Sequence, residues 1–206
     1  ENIRMLIDEE ANGLEMRRAF LQWLPARVQL GQSDVYVFFA GHGLATEDGN
    51  SMFLIPTDGA TDFLDISALR RSDVFDWLQA SGARSVTVFL DTCFSGGTRG
   101  DEVLVADNRG IGISAKDQSV PDSFTVMSAA TGTQASTSLP EAQQGLFSYF
   151  LMRGLEGEAD ANDDRKITTG ELHSFVAENV ARQVQRLGKD QTPQIAGDED
   201  RVLVAW

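Results

Sequence analysis

The chain of 206 residues has one cysteine, two histidines, two tyrosines and five prolines. A single cysteine excludes an internal disulfide framework, so stability must come from a buried core. A lone thiol is easier to keep reduced in a cytosol, which favours a cytoplasmic over a secreted protein without fixing the compartment. The opening residues do not read as a secretory signal. No apolar run approaches the ~18 residues of a membrane-spanning helix, so no membrane role is expected. Basic residues are few: 17 Lys and Arg stand against 31 Asp and Glu, a formal net charge of −14. That balance argues against nucleic acid as a partner, because a phosphate backbone is neutralised by Lys and Arg. An acidic surface suits cationic substrates, or simply solubility. The length fits one α/β domain with enough chain to bury a sizeable core.

What is present centres on residues 85–97, SVTVFLDTCFSGG. Val86, Val88, Phe89 and Leu90 read as a buried strand, which runs through Asp91, Thr92 and Cys93 into a Ser-Gly-Gly turn that cannot continue it. The only cysteine therefore sits where a core strand ends, the edge at which open α/β sheets collect ligands and catalytic groups. Taken alone, it reads as a small buried hydrophobe. A second stretch, DVYVFFAGHG (34–43), repeats the design: an apolar strand, then Gly41, His42 and Gly43. Glycine lets a backbone pass close to a ligand and leaves the Gly43 N–H free to point at one. Two strand ends, one carrying histidine and one cysteine, suggest a nucleophile and its base. They lie 51 residues apart, 93 minus 42, a spacing like that between the histidine and cysteine of caspases.

At these residues the chain resembles the caspase-like cysteine peptidases. Apolar-strand-Gly-His-Gly and apolar-strand-Asp-x-Cys-x-Ser-Gly are similar to the histidine and cysteine motifs of metacaspases and the bacterial orthocaspase branch. The animal form, Gln-Ala-Cys-x-Gly, is not present. SFTVMSAATGTQAS (123–136) resembles the strand that lines the substrate groove, which implies substrate contacts at Ser128 and Ala129. Residues 145–172 resemble the helix and turn of bacterial members. The resemblance implies a caspase-like three-layer sandwich: a mostly parallel central sheet with helices on both faces, here without the N-terminal strand and helix that open the family's fold. It implies one peptidase domain over 1–206, with a large-subunit-like part (1–95), a flexible loop (96–122) and a small-subunit-like part (123–206). It also implies cysteine endopeptidase activity, with Cys93 as nucleophile, His42 as base and then acid, and the N–H groups of Gly43 and Cys93 holding the oxyanion. Strand alternation points Asp91 and Cys93 to the same face. In metacaspases an acid at this place belongs to the pocket for Arg or Lys, and a carboxylate pairs with a guanidinium and repels an acidic side chain. The expected substrates are proteins or peptides cut after basic residues; the alternative is a solvated charge at a strand end. The chemistry requires no cofactor.

In chain order, IRMLI (3–7) reads as a strand and residues 12–24 as an amphipathic helix on Met16, Ala19, Phe20, Trp23 and Leu24. A polar loop (44–51) follows the histidine, then a strand (52–58) stopped by Pro56. Ser72 is the expected cap of a helix that ends near Gly82. A strand over 124–130, a loop over 131–144 and a helix over 146–156 follow. The last helix carries Leu172, Phe175, Val176, Val180 and Val184 on one face, and RVLVA (201–205) reads as a closing strand. His173, within that helix but beside its apolar face, reads as solvated.

Further readings stand beside these. Asp160, Asn162, Asp164, Thr168 and Glu171 fall at positions 1, 3, 5, 9 and 12 of an EF-hand-like loop, which points to possible calcium, although Arg165 replaces the turn glycine. Thr168 and Glu171 equally form a capping box. Cys93 to Arg99 is also Cys-x5-Arg, the anion loop of cysteine phosphatases, but no helical period follows it and the Gly-His-Gly stretch is left without a role. A caspase-like module that binds peptides without cutting them is the other alternative. Finally, Arg99, Arg109 and Lys116 lie in the glycine-rich loop just beyond the cysteine, which suggests self-cleavage there, at Arg109 first.

Overall fold

The computed structural model of the chain describes residues 2–46, 49–92, 120–131, 137–139 and 144–206. Residues 2–7 form no strand: they pair with no strand among the described residues, and Ile3, Met5 and Ile7 stay exposed. The first helix, α1 (Gly13–Arg18), is capped by Asn12, whose side chain accepts from the Glu15 N–H at 3.0 Å, and it runs on as a π-helical turn over Ala19–Trp23. Strand β1 (Asp34–Ala40) follows, then the antiparallel pair β2 (His42–Ala45) and β3 (Met52–Ile55). The loop expected over 44–51 thus begins as strand. A short helix α2 (Leu64–Ser67) and strand β4 (Leu69–Arg70), which pairs with β3, lead into helix α3 (Arg71–Ala80). Ser72 is not its cap: the capping position lies two residues earlier, at Arg70, and Ser72 is already inside the helix. Gly82, at φ 72°, ends it as expected, in a conformation that a side chain disfavours.

Next come β5 (Ser85–Asp91), β6 (Phe124–Ser128) and the short pair β7 (Ser138–Leu139) and β8 (Gln144–Gly145). Helix α4 (Leu146–Arg153) continues through a second π-helical segment, Gly154–Glu158. Then follow β9 (Lys166–Thr168), α5 (Thr169–Arg186), β10 (Gln194–Gly197) and β11 (Val202–Ala205). The last strand does not join the central sheet; it pairs with β9.

The central sheet has the order β1-β5-β6-β10, with β1, β5 and β6 parallel and β10 antiparallel. Alternation along β5 divides its side chains between two cores. Val86, Val88 and Leu90 pack with Met16, Val74 and Leu78 of α1 and α3 on one face. On the other, Phe89 packs with Leu146, Phe147, Leu172 and Val176 of α4 and α5. The sheet is therefore covered by helices on both faces, the layering expected of alternating strands and helices. The two edge strands, β1 and β10, are less buried than β5 and β6. Tyr36 and Phe38 are about half exposed on the far face of β1.

Two devices pin the register. Asp34, at the start of β1, accepts from Arg84 Nε at 3.0 Å, from Arg84 Nη2 and from Ser85 Oγ at 2.6 Å. Those bonds, the guanidinium's above all, hold its carboxyl below the usual carboxylate range. Across the next seam, Arg201 donates to the Val86 and Ser123 carbonyls, each at 3.0 Å, and so ties β5 to the entry of β6.

Candidate active site

The site is built where β1 and β5 run out side by side. Their parallel ladder pairs Asp34 with Ser85 and Ala40 with Asp91, a constant offset of 51. One further bond, Gly41 N–H to the Asp91 carbonyl at 3.3 Å, carries it a residue beyond β1. There the chain leaves the sheet. Gly41 allows the departure: a Cβ at this position would stand 2.9 Å from the Phe39 ring. His42 then opens β2, exposed, opposite Ile55 of β3, with Gly43 buried behind it opposite Leu54. The histidine is thus presented on the first residue of a hairpin, not on a free loop. On the β5 side, Asp91 and Thr92 are buried, and Thr92 Oγ1 has no hydrogen-bond partner among the described residues. Cys93 lies outside the described residues, as do the Cys-x5-Arg stretch 93–99 and Arg109 and Lys116.

Asp91 is not a solvated charge at a strand end, the alternative to a pocket acid. Its side chain is 0% exposed, and Oδ2 accepts from the Ser148 N–H at 3.3 Å and from the Ser148 hydroxyl. Ser148 is the third residue of α4, where backbone N–H groups have no partner inside the helix and the helix dipole favours a carboxylate. Gly145, just before the helix, lets the acid come this close: a Cβ there would fall 2.3 Å from Asp91 Oδ2. Neither Ser148 nor Gly145 was singled out in the sequence; a serine in the first turn of a helix preceded by glycine is the only local signal.

Ser128 and Ala129 stand at the far end of β6. Ser128 pairs with Leu90 on one side and Gln194 on the other and is half-buried. Ala129 is fully buried and donates its N–H to the Leu90 carbonyl at 2.8 Å. The β6 exit and the β5 exit are thus adjacent, one residue before Asp91. His173 is elsewhere: half-buried on α5, with Nε2 3.2 Å from the Pro193 carbonyl, so the solvated reading of this side chain is corrected.

The EF-hand-like stretch folds as a turn closed on itself. Asp160 accepts from the N–H groups of Asp164 (3.2 Å) and Arg165 (3.0 Å), Asn162 from Asp164 (2.9 Å), and Asp164 from Lys166 (2.9 Å). Thr168 and Glu171 form the capping box of α5, with Glu171 Oε2 taken by both the N–H and the hydroxyl of Thr168. Among the described residues no three His, Cys, Asp or Glu side chains converge as a metal ion would require.

A model of the caspase domain family matches residues 4–203. The chain belongs to the caspase domain family. Among solved structures, a Geobacter sulfurreducens protein shares 18% identity over 98% of this chain and 80% of its own, with a TM-score of 0.62. Caspase-1 from Spodoptera frugiperda shares 14% identity over 94% of this chain and 71% of its own, with a TM-score of 0.59. At these identities the likeness is one of fold: this caspase domain has the same mixed α/β architecture around a mostly parallel sheet. No curated protein matches it. Family membership supports a caspase-like cysteine peptidase in general, a class whose substrates are proteins. Among the described residues no helix is long and apolar enough to cross a membrane.

Proposed function

We propose that this caspase domain hydrolyses peptide bonds with a Cys93–His42 dyad and cuts after Arg or Lys. One observation carries the reading. The β1–β5 ladder has an offset of 51, which is also the separation of His42 from Cys93, so each residue follows its own strand end by the same two positions. In the proposed reaction the Cys93 sulfur, its proton passed to His42, attacks the substrate carbonyl carbon. The N–H groups of Gly43 and Cys93 receive the developing oxyanion. His42 then returns the proton to the leaving amine, and water hydrolyses the thioester. Nothing here calls for a cofactor. The carboxylate of Asp91, two residues before the nucleophile, supports the basic preference by its charge. Because Ser148 already donates to it, a substrate guanidinium has to share or displace that bond.

Variants and a peptide library test this. Cys93→Ala and His42→Ala should abolish cleavage and His173→Ala should not, and the library should yield cuts after Arg or Lys. Cleavage that survives His42→Ala but is lost with His173→Ala refutes the dyad. A preference for Asp peptides refutes the role given to Asp91.

A further inference from the structure

Gln191 is a buried amide in the segment between α5 and β10, 3% exposed, and both ends of it are spent on backbone groups far away in sequence. Its Oε1 accepts from the Thr137 N–H at 2.7 Å, and its Nε2 donates to the Ala129 carbonyl at 3.0 Å. Those two anchors are where the chain leaves β6 and where it re-enters at β7. Each continues toward Asp91. From Ala129 the N–H passes to the Leu90 carbonyl, next to Asp91 in β5. From Thr137 the carbonyl accepts from the Leu146 N–H at 2.9 Å, the first residue of α4, whose Ser148 holds the Asp91 carboxylate. One side chain thus joins the two structures between which Asp91 is seated.

We infer that Gln191 is a positioning residue for substrate binding: it sets the separation between the β6 exit, with Ser128 and Ala129, and the N-terminus of α4 behind Asp91. The inference rests on the peptidase reading above. The task needs a donor and an acceptor on one planar group, which Gln supplies and which neither Glu nor Met does. A carboxylate can keep the bond from Thr137 but presents an oxygen to the Ala129 carbonyl. Methionine has a similar length and makes neither bond. Gln191 has no direct hydrogen bond to His42 or to β1 or β5 among the described residues, so we place its effect on substrate binding and not on the nucleophile.

The test measures kcat and KM of wild type, Gln191→Met and Gln191→Glu on Arg peptides. It is paired with the rate of Cys93 alkylation by iodoacetamide and hydrogen exchange at the Thr137 amide. Gln191→Met should raise KM about tenfold with kcat and alkylation within about twofold of wild type. Exchange at Thr137 should quicken in Gln191→Met and change less in Gln191→Glu, which keeps the acceptor. An unchanged KM in Gln191→Met overturns the inference, and so does a parallel fall of kcat, alkylation and melting temperature, which marks general loosening. Should Gln191→Met not fold, Gln191→Glu decides: a raised KM with normal alkylation supports the role and a wild-type KM ends it. A wild type that cleaves no peptide overturns the peptidase reading together with this inference, whereas an active wild type with an indifferent Gln191→Met overturns the inference alone.

Discussion

The seat of Asp91 against α4 can be tested by stability alone, without any activity. Ser148→Ala removes the hydroxyl donor and leaves the Ser148 amide in place. A buried polar group that loses a partner costs about 1–3 kcal/mol. For a chain of this length that lowers the melting temperature by a few to about ten degrees. Gly145→Ala attacks the same contact from the other side, since the new Cβ would stand 2.3 Å from Asp91 Oδ2 and one of them must move. Overpacking of this kind costs roughly 1–3 kcal/mol. The cycle of Gly145→Ala with Asp91→Ala separates this clash from any intrinsic effect of alanine before the helix. With the carboxylate gone the methyl has room, so the double variant should lose at least about 1 kcal/mol less than the two singles together. Urea denaturation of the four proteins gives the numbers. Additivity within about 0.5 kcal/mol, or a Ser148→Ala variant as stable as wild type, would refute the buried contact.

Other outcomes are equally open to measurement. Asp160→Ala, which strips the Asp164 and Arg165 amides of their acceptor, should lower the melting temperature; in the capped-turn reading of 160–171 millimolar calcium adds neither heat in calorimetry nor stability, while a calcium signal lost in Asp160→Ala establishes the metal instead. Because the folded pKa of Asp34 is depressed, its contribution is present above the unfolded value of ~3.9 and is lost as pH falls through the lower folded value. An acid titration of Asp34→Asn should therefore converge on wild type below that range, and a constant gap between the two at every pH refutes the assignment. Incubated enzyme should yield two fragments split after Arg109 by mass spectrometry while Cys93→Ala stays whole; an intact active enzyme ends the self-cleavage proposal and leaves the specificity proposal standing.

The sheet and its helices were legible because each is driven by local pattern. The β-branched run of 85–91 has few alternatives to a buried strand, and the four-residue spacing of Leu172, Val176, Val180 and Val184 became the buried stripe of α5. The Thr168–Glu171 capping box could be read from two residues for the same reason. What depends on a distant partner was not legible. IRMLI has strand-like residues but pairs with no strand among the described residues. Ser72 is a good cap by type, yet the backbone turns into α3 two residues sooner, at Arg70. The sequence reads Asp91 as a pocket acid, with a solvated charge as the alternative, but gives no sign of its seat against the start of α4, 57 residues further on. Gln191 carries no local signal, since its partners are 54 and 62 positions away.

The seam between β5 and β6 has a consequence for the wholeness of the molecule. A break anywhere in 93–119 severs the covalent chain but none of the pairs from Val86–Phe124 to Leu90–Ser128. The upstream piece keeps β5; the downstream piece keeps β6 and β10, and its Arg201 still grips the Val86 carbonyl of the other. The two pieces are strands of one sheet, with cores on both faces that neither completes alone. A nicked chain should therefore run as two bands on a denaturing gel and as a single particle in size-exclusion chromatography: a non-covalent heterodimer made from one gene product.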